Sequence, residues 1–449
     1  MNKNDEIILN IDGVSADGFG VGRHKNLAVF VPLTAPGDTA AVKIVKVKKN
    51  YCFGKLMNIV TPSESRTLPD CEVFSRCGGC VYRHISYAAE CEIKEKKVYD
   101  NIKRIGGIDM PPQKIIAAPN RSRYRNKAQY PISQNGNAGF FAVHSHRIIE
   151  NSDCLLQPEF FADICKAVTE WIKEKNISIY CEETHSGLIR HLYIRYAAKT
   201  QEVMVVPVIN GRTLPESDCL ISRLSALLGD RLKSVQININ TEKTNVILGK
   251  KCITLYGQDY ITDILCGVKV RISALSFYQV NRDMAERLYK KAAEYAQPKN
   301  KNILDLYCGA GTIGLSMAAA AKSIIGVEIV PEAVRDAKIN AEVCGINNTR
   351  FICGDAATAA RQLAKENIHP DVVIVDPPRK GCDSELIKTI AEDFAPERVV
   401  YVSCDSATLA RDIKLFSEHG YDLAEYTPVD MFPGTSHVEC CAQLCCTQQ

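Results

Sequence analysis

From about residue 271 to its end the chain alternates short apolar runs with amphipathic stretches. The runs sit in "NILDLYCGAG", "SIIGVEIV", "TRFICGD", "DVVIVDPPR" and "RVVYVSC". Each is too short for a helix and rich in β-branched residues, and the stretches between them have helical spacing, so the pattern predicts a doubly wound, Rossmann-like α/β domain over residues 271–449. Residues 1–62 read differently. "DGFGVG" and "TAPGDT" supply turns between short strands such as "LAVFVP" and "YCFGKLMNIV", which fits a small β-barrel of the oligonucleotide-binding kind. "TPSESRTLPD" is a linker. Residues 65–270 form a mixed, strand-rich central region with runs such as "HLYIRYA", "EVMVVPVI" and "SVQININ". Its long helical stretch, "YAAECEIKEKKVYDNIKRIGG", ends on paired glycines. The fold class is therefore multidomain α/β.

Charge divides the chain. Residues 1–150 hold 22 Lys plus Arg against 14 Asp plus Glu, a surplus of eight, so the remainder carries a deficit of five within the overall +3. A basic half suits a polyanion, because cations that neutralise phosphates release counterions. Solvated lysines that serve solubility are the alternative. In "VKIVKVKK" the apolar alternation slips between Ile44 and Val45, as in a bulged strand, leaving Lys43, Lys46 and Lys48 opposite the core face. "RSRYRNK" sets Arg121, Arg123, Arg125 and Lys127 around Tyr124, a composition for phosphate contact and base stacking. The start, "MNKNDEIILN", is too polar for a signal peptide, and no apolar run is long enough to span a bilayer, so the expected compartment is the cytoplasm and no membrane is expected as a partner. In a reducing compartment the 20 cysteines are buried hydrophobes, metal ligands or nucleophiles.

Acids at strand ends carry the chemistry of the last domain. Gly309, Gly311 and Gly314 match a nucleotide-binding glycine pattern, yet Asp305 just before them would repel a pyrophosphate and suits the ammonium of S-adenosylmethionine instead. Glu328 ends the next run and suits ribose hydroxyls. Asp355 ends the third and suits an adenine amino group. Asp376 opens "DPPR", a turn stiffened by two prolines. Enzymes that methylate exocyclic amines place an aromatic residue fourth in such a motif, whereas here the fourth is Arg379.

Cys404 falls at the end of "RVVYVSC", before a helix start at Ser406, and so at the strand edge where ligands bind. A thiolate there can add to carbon 6 of a uracil and make carbon 5 nucleophilic. A base must then remove the carbon-5 proton, and Glu439, after a Pro-Gly turn and before a final strand, is the candidate. Cys71, Cys77 and Cys80 form C-x5-C-x2-C, without the second C-x2-C pair of a zinc ribbon. Three close thiols with Cys154 as a remote fourth suit a [4Fe–4S] cluster. Cys440, Cys441, Cys445 and Cys446 read as strand and tail residues.

Together these residues resemble the RNA uracil-5-methyltransferase family, and more closely its branch acting on 23S ribosomal RNA. The resemblance implies an amino-terminal TRAM barrel, a central domain with the cluster on Cys71, Cys77, Cys80 and Cys154, and a carboxyl-terminal class I methyltransferase domain. It implies cofactor contacts at Gln279, Tyr307, Thr312, Glu328, Asp355 and Asp376, a base-packing Phe277 in "FYQVN", the nucleophile Cys404 and the base Glu439. RNA contacts are expected from Lys46, Lys48, Arg123, Tyr124 and Arg125, and no obligate protein partner is expected. The resemblance also implies that part of residues 83–115 packs on the catalytic domain. Thr312 stands where some relatives have an amide, and Asp405 where Asn is common. The transfer-RNA branch is expected to lack the barrel and cluster, which is the ground for favouring ribosomal RNA. Two rival readings remain: cytosine-5 methylation, whose nucleophile belongs by the Asp-Pro motif, and an RNA-binding or redox-sensing module with a dead catalytic domain.

Overall fold

A computed structural model describes residues 1–447. They form two compact units. The first comprises Met1–Lys97, Phe140–Ile149 and Phe432–His437; the second comprises Val98–Gly139, Glu150–Met431 and the stretch from Val438 on.

The first unit contains strands β1 (Glu6–Asn10), β2 (Gly13–Val14), β3 (Gly20–His24), β4 (Leu27–Val31), β5 (Thr39–Val47) and β6 (Tyr51–Thr61) in one six-stranded sheet of order β1-β5-β6-β4-β3-β2. The alternation of β1, β4 and β5 turns Leu9, Val29, Val31, Val42 and Ile44 inward, where Cys52 joins them as a small buried hydrophobe. The phase slip read from the sequence is a real bulge, with β5 shifting register against β6 between Ile44 and Lys46. Beyond the bulge Val45 and Val47 are 42% and 39% exposed. Helix α1 (Tyr87–Arg104) begins in this unit and runs into the second. Its buried Lys94 and Glu90 pair at 2.7 Å.

After β7 (Lys127–Pro131) of the second unit the chain makes the short pair β8 (Gly139–Phe141) and β9 (Ile148–Glu150), most of which belongs to the first unit, and the second unit goes on with α2 (Phe160–Glu174), β10 (Ile189–Ala197), β11 (Glu202–Ile209), α3 (Ser217–Leu228), β12 (Leu232–Ile239) and β13 (Lys251–Gly257). Five of these strands make a sheet of order β13-β12-β11-β10-β7. The α2 helix buries Phe161, Ile164, Val168 and Trp171, one apolar stripe at helical spacing. A hairpin of β14 (Tyr260–Leu265) and β15 (Val268–Ser273) leads to the catalytic layer.

That layer runs α4 (Arg282–Ala296), β16 (Asn302–Leu306), α5 (Thr312–Met317), β17 (Ser323–Glu328), α6 (Pro331–Val343), β18 (Thr349–Cys353), α7 (Ala356–Lys365), β19 (Val372–Val375), α8 (Ser384–Lys388), β20 (Arg398–Ser403), α9 (Ser406–Glu418), β21 (Tyr421–Val429) and β22 (Glu439–Cys446). Its sheet has seven strands in the order β18-β17-β16-β19-β20-β22-β21, parallel except for β22, which is antiparallel to both neighbours. Every apolar run singled out in this region is a strand. Strand order reverses between β16 and β19, so ligands belong in the crevice at the carboxyl ends of these two strands. Cys440, Cys441, Cys445 and Cys446 lie in β22. Among the described residues no helix is long and apolar enough to cross a membrane.

Candidate active site

The strand-end residues read from the sequence, Asp305, Glu328, Asp355, Asp376 and Cys404, lie at or just past the carboxyl ends of β16 to β20. Asp305 is the fourth residue of β16 and almost fully buried. Its Oδ2 accepts a hydrogen bond from the Gly314 amide at 3.0 Å, and Oδ1, also buried, has no hydrogen-bond partner. Only glycine fits at 314, since a Cβ there would stand 2.8 Å from Asp305 Oδ2. Burial, offset by the Gly314 bond and reinforced by the charges of Asp376 and Glu328, pushes the Asp305 carboxyl up to about 7. An orphaned buried carboxylate oxygen fits a cationic ligand group, as the ammonium of S-adenosylmethionine would supply.

Next to it Tyr307 turns the chain out of β16 with φ 62, a conformation that costs a bulky residue and marks strand tips at functional sites. Thr312 opens α5, and its hydroxyl meets that of Tyr289 at 3.1 Å. At the tip of β17 Glu328 accepts from the amides of Gly309 (3.0 Å) and Val330 (2.9 Å), which fixes the carboxylate beside the glycine turn. Asp355 caps α7 by accepting from the Thr358 amide at 3.0 Å, so an adenine contact there would share this carboxylate with a helix cap. The "FYQVN" segment is clamped from both sides. Tyr278 donates to Asp263 at 2.9 Å, and the Asn126 side chain donates to the Gln279 carbonyl at 3.0 Å, while Phe277 stands 71% exposed.

Cys404 follows the last residue of β20, half-buried, and Asp405 caps α9 by accepting from the amides of Ala407 (2.9 Å) and Thr408 (3.0 Å). Asp and Asn cap equally well, so this departure from the family pattern keeps the turn. Glu439 is the first residue of β22 and buried at 5% exposure, not the surface glutamate that position alone would suggest. The ladder of the antiparallel strands β20 and β22 ends with Ser403 opposite Cys440, so Cys404, just past β20, and Glu439, at the start of β22, lie at the same end of the strand pair. Burial first, then the charges of Glu439 and Asp376, pushes the Cys404 thiol up to about 11, and Arg379 opposes them. Burial and Asp376 push Glu439 up to about 8, again against Arg379. Burial also lifts Asp376 to about 7. Three acids share one desolvated crevice, and Arg379 is the cation that acts on two of them.

The sequence pointed to Arg379 only as a departure from amine methylation. The structure adds why its loop is fixed. Thr408 donates to the Arg379 carbonyl at 3.0 Å, Arg411 to the Lys380 carbonyl at 2.9 Å, and buried Asp412 accepts from the Cys382 amide at 2.8 Å and the Tyr401 hydroxyl at 2.6 Å. The helix that starts beside the nucleophile thus holds the loop that carries Asp376 and Arg379.

The RNA-contact residues separate. Lys46 and Lys48 are exposed at the ribbon end of the first unit, beside an aromatic trio of Phe30, Tyr51 and Phe53 with ring centroids 5.6–5.8 Å apart. Arg123 pairs with the exposed Asp153 at 2.5 Å and donates to the carbonyls of Cys154 and Gln157. Tyr124 lines a cavity of about 590 Å³ with Asn120, Arg121, Tyr196 and Asn281. Arg125 bridges in extended conformation to Asn281.

Cys71, Cys77 and Cys80 lie in the first unit, and Cys154 in the second. Burial, then the charges of Cys80 and Cys71, push the Cys77 thiol up, so these three thiols feel one another. The Gly434 amide donates to Glu90, and its carbonyl accepts from the amides of Val81 and Tyr82, just past Cys80, within this unit. Thiolates are the donor chemistry of an iron–sulfur cluster. Their arrangement is not that of an assembled metal site, since among the described residues no group of three or more His, Cys, Asp or Glu is so disposed.

A doubly wound domain with acids at the tips of its strands fits a methyltransferase, and the comparisons with known proteins give that class. The chain belongs to the tRNA (uracil-5-)-methyltransferase family, whose pattern matches residues 86–446, and a TRAM domain matches residues 3–57. A Clostridium tetani protein described as an uncharacterized RNA methyltransferase is 43% identical over 98% of this chain and 96% of its own length. One from Staphylococcus aureus is 42% identical over 97% of each. The Pyrococcus abyssi tRNA (uracil-54, C5)-methyltransferase, solved with S-adenosyl-L-homocysteine, superposes with a TM-score of 0.79 at 28% identity, over 97% of this chain and 99% of that one. This last match corrects the ground on which ribosomal RNA was favoured. A transfer-RNA enzyme shares nearly the whole length of the chain, so possession of an amino-terminal barrel does not separate the branches.

The cofactor reading has its own test. Replacing Asp305 with Asn should weaken S-adenosylmethionine binding roughly ten- to a hundredfold, the worth of a charge-assisted bond. In the parent, affinity measured by calorimetry should rise from pH 6 to pH 8 as Asp305 gains its charge near 7. The variant should lose that rise; an identical pH profile in both would exclude Asp305 from the ammonium site.

Proposed function

We propose that this protein forms 5-methyluridine in RNA through a covalent adduct between Cys404 and carbon 6 of the uracil. The observation that supports this reading is the end of the β20–β22 ladder, where the Cys404 thiol and the buried Glu439 carboxylate lie at the same end of the strand pair and the Glu439 charge acts on the thiol. The Cys404 thiolate adds to carbon 6 and shifts the ring electrons to carbon 5. S-Adenosylmethionine supplies the methyl group as an activated sulfonium. Glu439 takes the proton from carbon 5, and the electrons of that bond re-form the double bond and expel the thiolate. A proton-poor Glu439 is required for that step, and Arg379 favours it. Phe277, exposed at the end of a clamped segment, is placed to stack against a uracil drawn out of its helix.

The Cys404 position after the fifth parallel strand argues against cytosine-5 chemistry. The intact set of Cys404, Glu439 and Asp376 argues against a dead module. We take 23S ribosomal RNA as the substrate, on the C-x5-C-x2-C segment and the resemblance it supports; transfer RNA is the second reading, favoured by the Pyrococcus abyssi neighbour. Labelled methyl transfer to unmodified 23S ribosomal RNA and to transfer RNA, run in parallel, decides between them. Label in transfer RNA alone overturns the first choice.

We further propose that Cys71, Cys77 and Cys80 contribute thiolates to a [4Fe–4S] cluster, and no step of methyl transfer runs through it. Its role in this reading is structural, since the three clustered cysteines precede a segment bonded to Gly434 of the stretch that leads to Glu439. Anaerobically purified protein should contain iron and sulfide, and Cys80→Ala should lose both together with thermal stability. A Cys80→Ala protein that melts like the parent and keeps full activity without iron would refute the structural role.

A further inference from the structure

Two cations face each other where the central sheet meets the "FYQVN" segment. Lys127, the first residue of β7, is the direct antiparallel partner of Arg195 in β10. Directly opposed residues project from the same face, and like charges so placed destabilise a sheet. Arg125, two residues before Lys127 in extended backbone, adds a third cation to that face. No carboxylate enters the balance at Lys127. Burial, then the charges of Arg195 and Arg125, push its amino group down to about 8.

Arg195 is 3% exposed, and its guanidinium is spent on the turn before Phe277, donating to the Ser273 carbonyl, to the Ser276 carbonyl at 2.6 Å and to the Ser276 hydroxyl at 3.2 Å. Asn126, beside Lys127, holds the other side of that segment through the Gln279 and Val280 carbonyls. Lys127 therefore sits at the root of the segment that presents Phe277, as a partly open ammonium among cations. It is charge set up in the free protein at a cost.

We infer that Lys127, with Arg125 beside it and Arg195 behind it, is a seat for a backbone phosphate of the RNA next to the target uridine. The inference rests on the RNA-methylating function proposed above and adds the anchor that places the strand relative to Phe277. A phosphate would relieve the repulsion between the opposed cations and give Lys127 the anion its surroundings lack. Phosphate contacts fix register and carry no sequence information, so this seat sets where the strand lies and leaves the choice of base to the crevice.

The test is the salt dependence of binding of a short fluorescein-labelled single-stranded RNA, measured by anisotropy for the full chain and for Lys127→Gln and Lys127→Arg. Each phosphate contact on a single strand contributes about 0.7 to the slope of log affinity against log salt. Lys127→Gln should bind more weakly with a slope shallower by about 0.7, and should melt at the parent temperature or above it, because one repelling cation is gone. Lys127→Arg should keep the parent slope. An unchanged slope in a folded Lys127→Gln protein overturns the seat. Should Lys127→Gln fail to fold, Arg125→Gln carries the same slope test with the same two outcomes. The parent's methyl transfer, measured in parallel, separates the two readings. Transfer with an unchanged slope removes the seat alone; a shifted slope without transfer keeps the seat and removes the proposed function.

Discussion

Replacing Cys404 with Ala should abolish methyl transfer, by about four orders of magnitude or more, while S-adenosylmethionine binds as in the parent. Loss of a nucleophile that acts as a unit with its base leaves little residual rate. Cofactor binding is expected to survive because Asp305, Glu328 and Asp355 lie at the tips of other strands, and none takes a hydrogen bond from Cys404. Folding should survive too, since the cap of α9 is made by Asp405 and the strand ends at Ser403. Calorimetry with S-adenosylmethionine and a transfer assay on the same preparation give both numbers. Transfer retained within tenfold of the parent would remove Cys404 from the reaction.

Replacing Glu439 with Gln should give the opposite phenotype, an enzyme that starts the reaction and cannot finish it. The amide keeps the size of the buried side chain but cannot take the carbon-5 proton, so the adduct on Cys404 should accumulate after methyl transfer. Protein and RNA should then migrate together on a denaturing gel, in an amount that depends on S-adenosylmethionine and disappears when Cys404 is also replaced. Turnover should fall by at least about a hundredfold, the usual worth of a general base. Removing the Glu439 charge also lowers the barrier to forming the Cys404 thiolate, because that charge is one of the causes that raise the thiol. Full turnover with no trapped adduct would show that another group removes the proton.

How much of this was legible in the chain follows the range of the interactions. The catalytic layer was legible because its strands are short β-branched runs that recur between helices, and Cys404 was legible because a thiol after such a run falls at the ligand edge. Glu439 was singled out by its place after a turn, but its burial and its nearness to the end of β20 depend on the pairing of strands far apart in sequence. The same limit hid the opposition of Lys127 and Arg195. Composition does not show where the arginines of "RSRYRNK" go, and Arg123 pairs with Asp153. The exposure of Val45 and Val47 past the bulge was likewise not legible in the apolar alternation.

The account stands on one chemical outcome, a methyl group on carbon 5 of a uridine. Its most direct measurement is incubation of anaerobically purified protein with labelled S-adenosylmethionine and unmodified 23S ribosomal RNA or transfer RNA, followed by digestion to nucleosides and chromatography. Label that co-migrates with 5-methyluridine and is absent with Cys404→Ala is the expected result. Label in 5-methylcytidine, or in neither RNA, would contradict it.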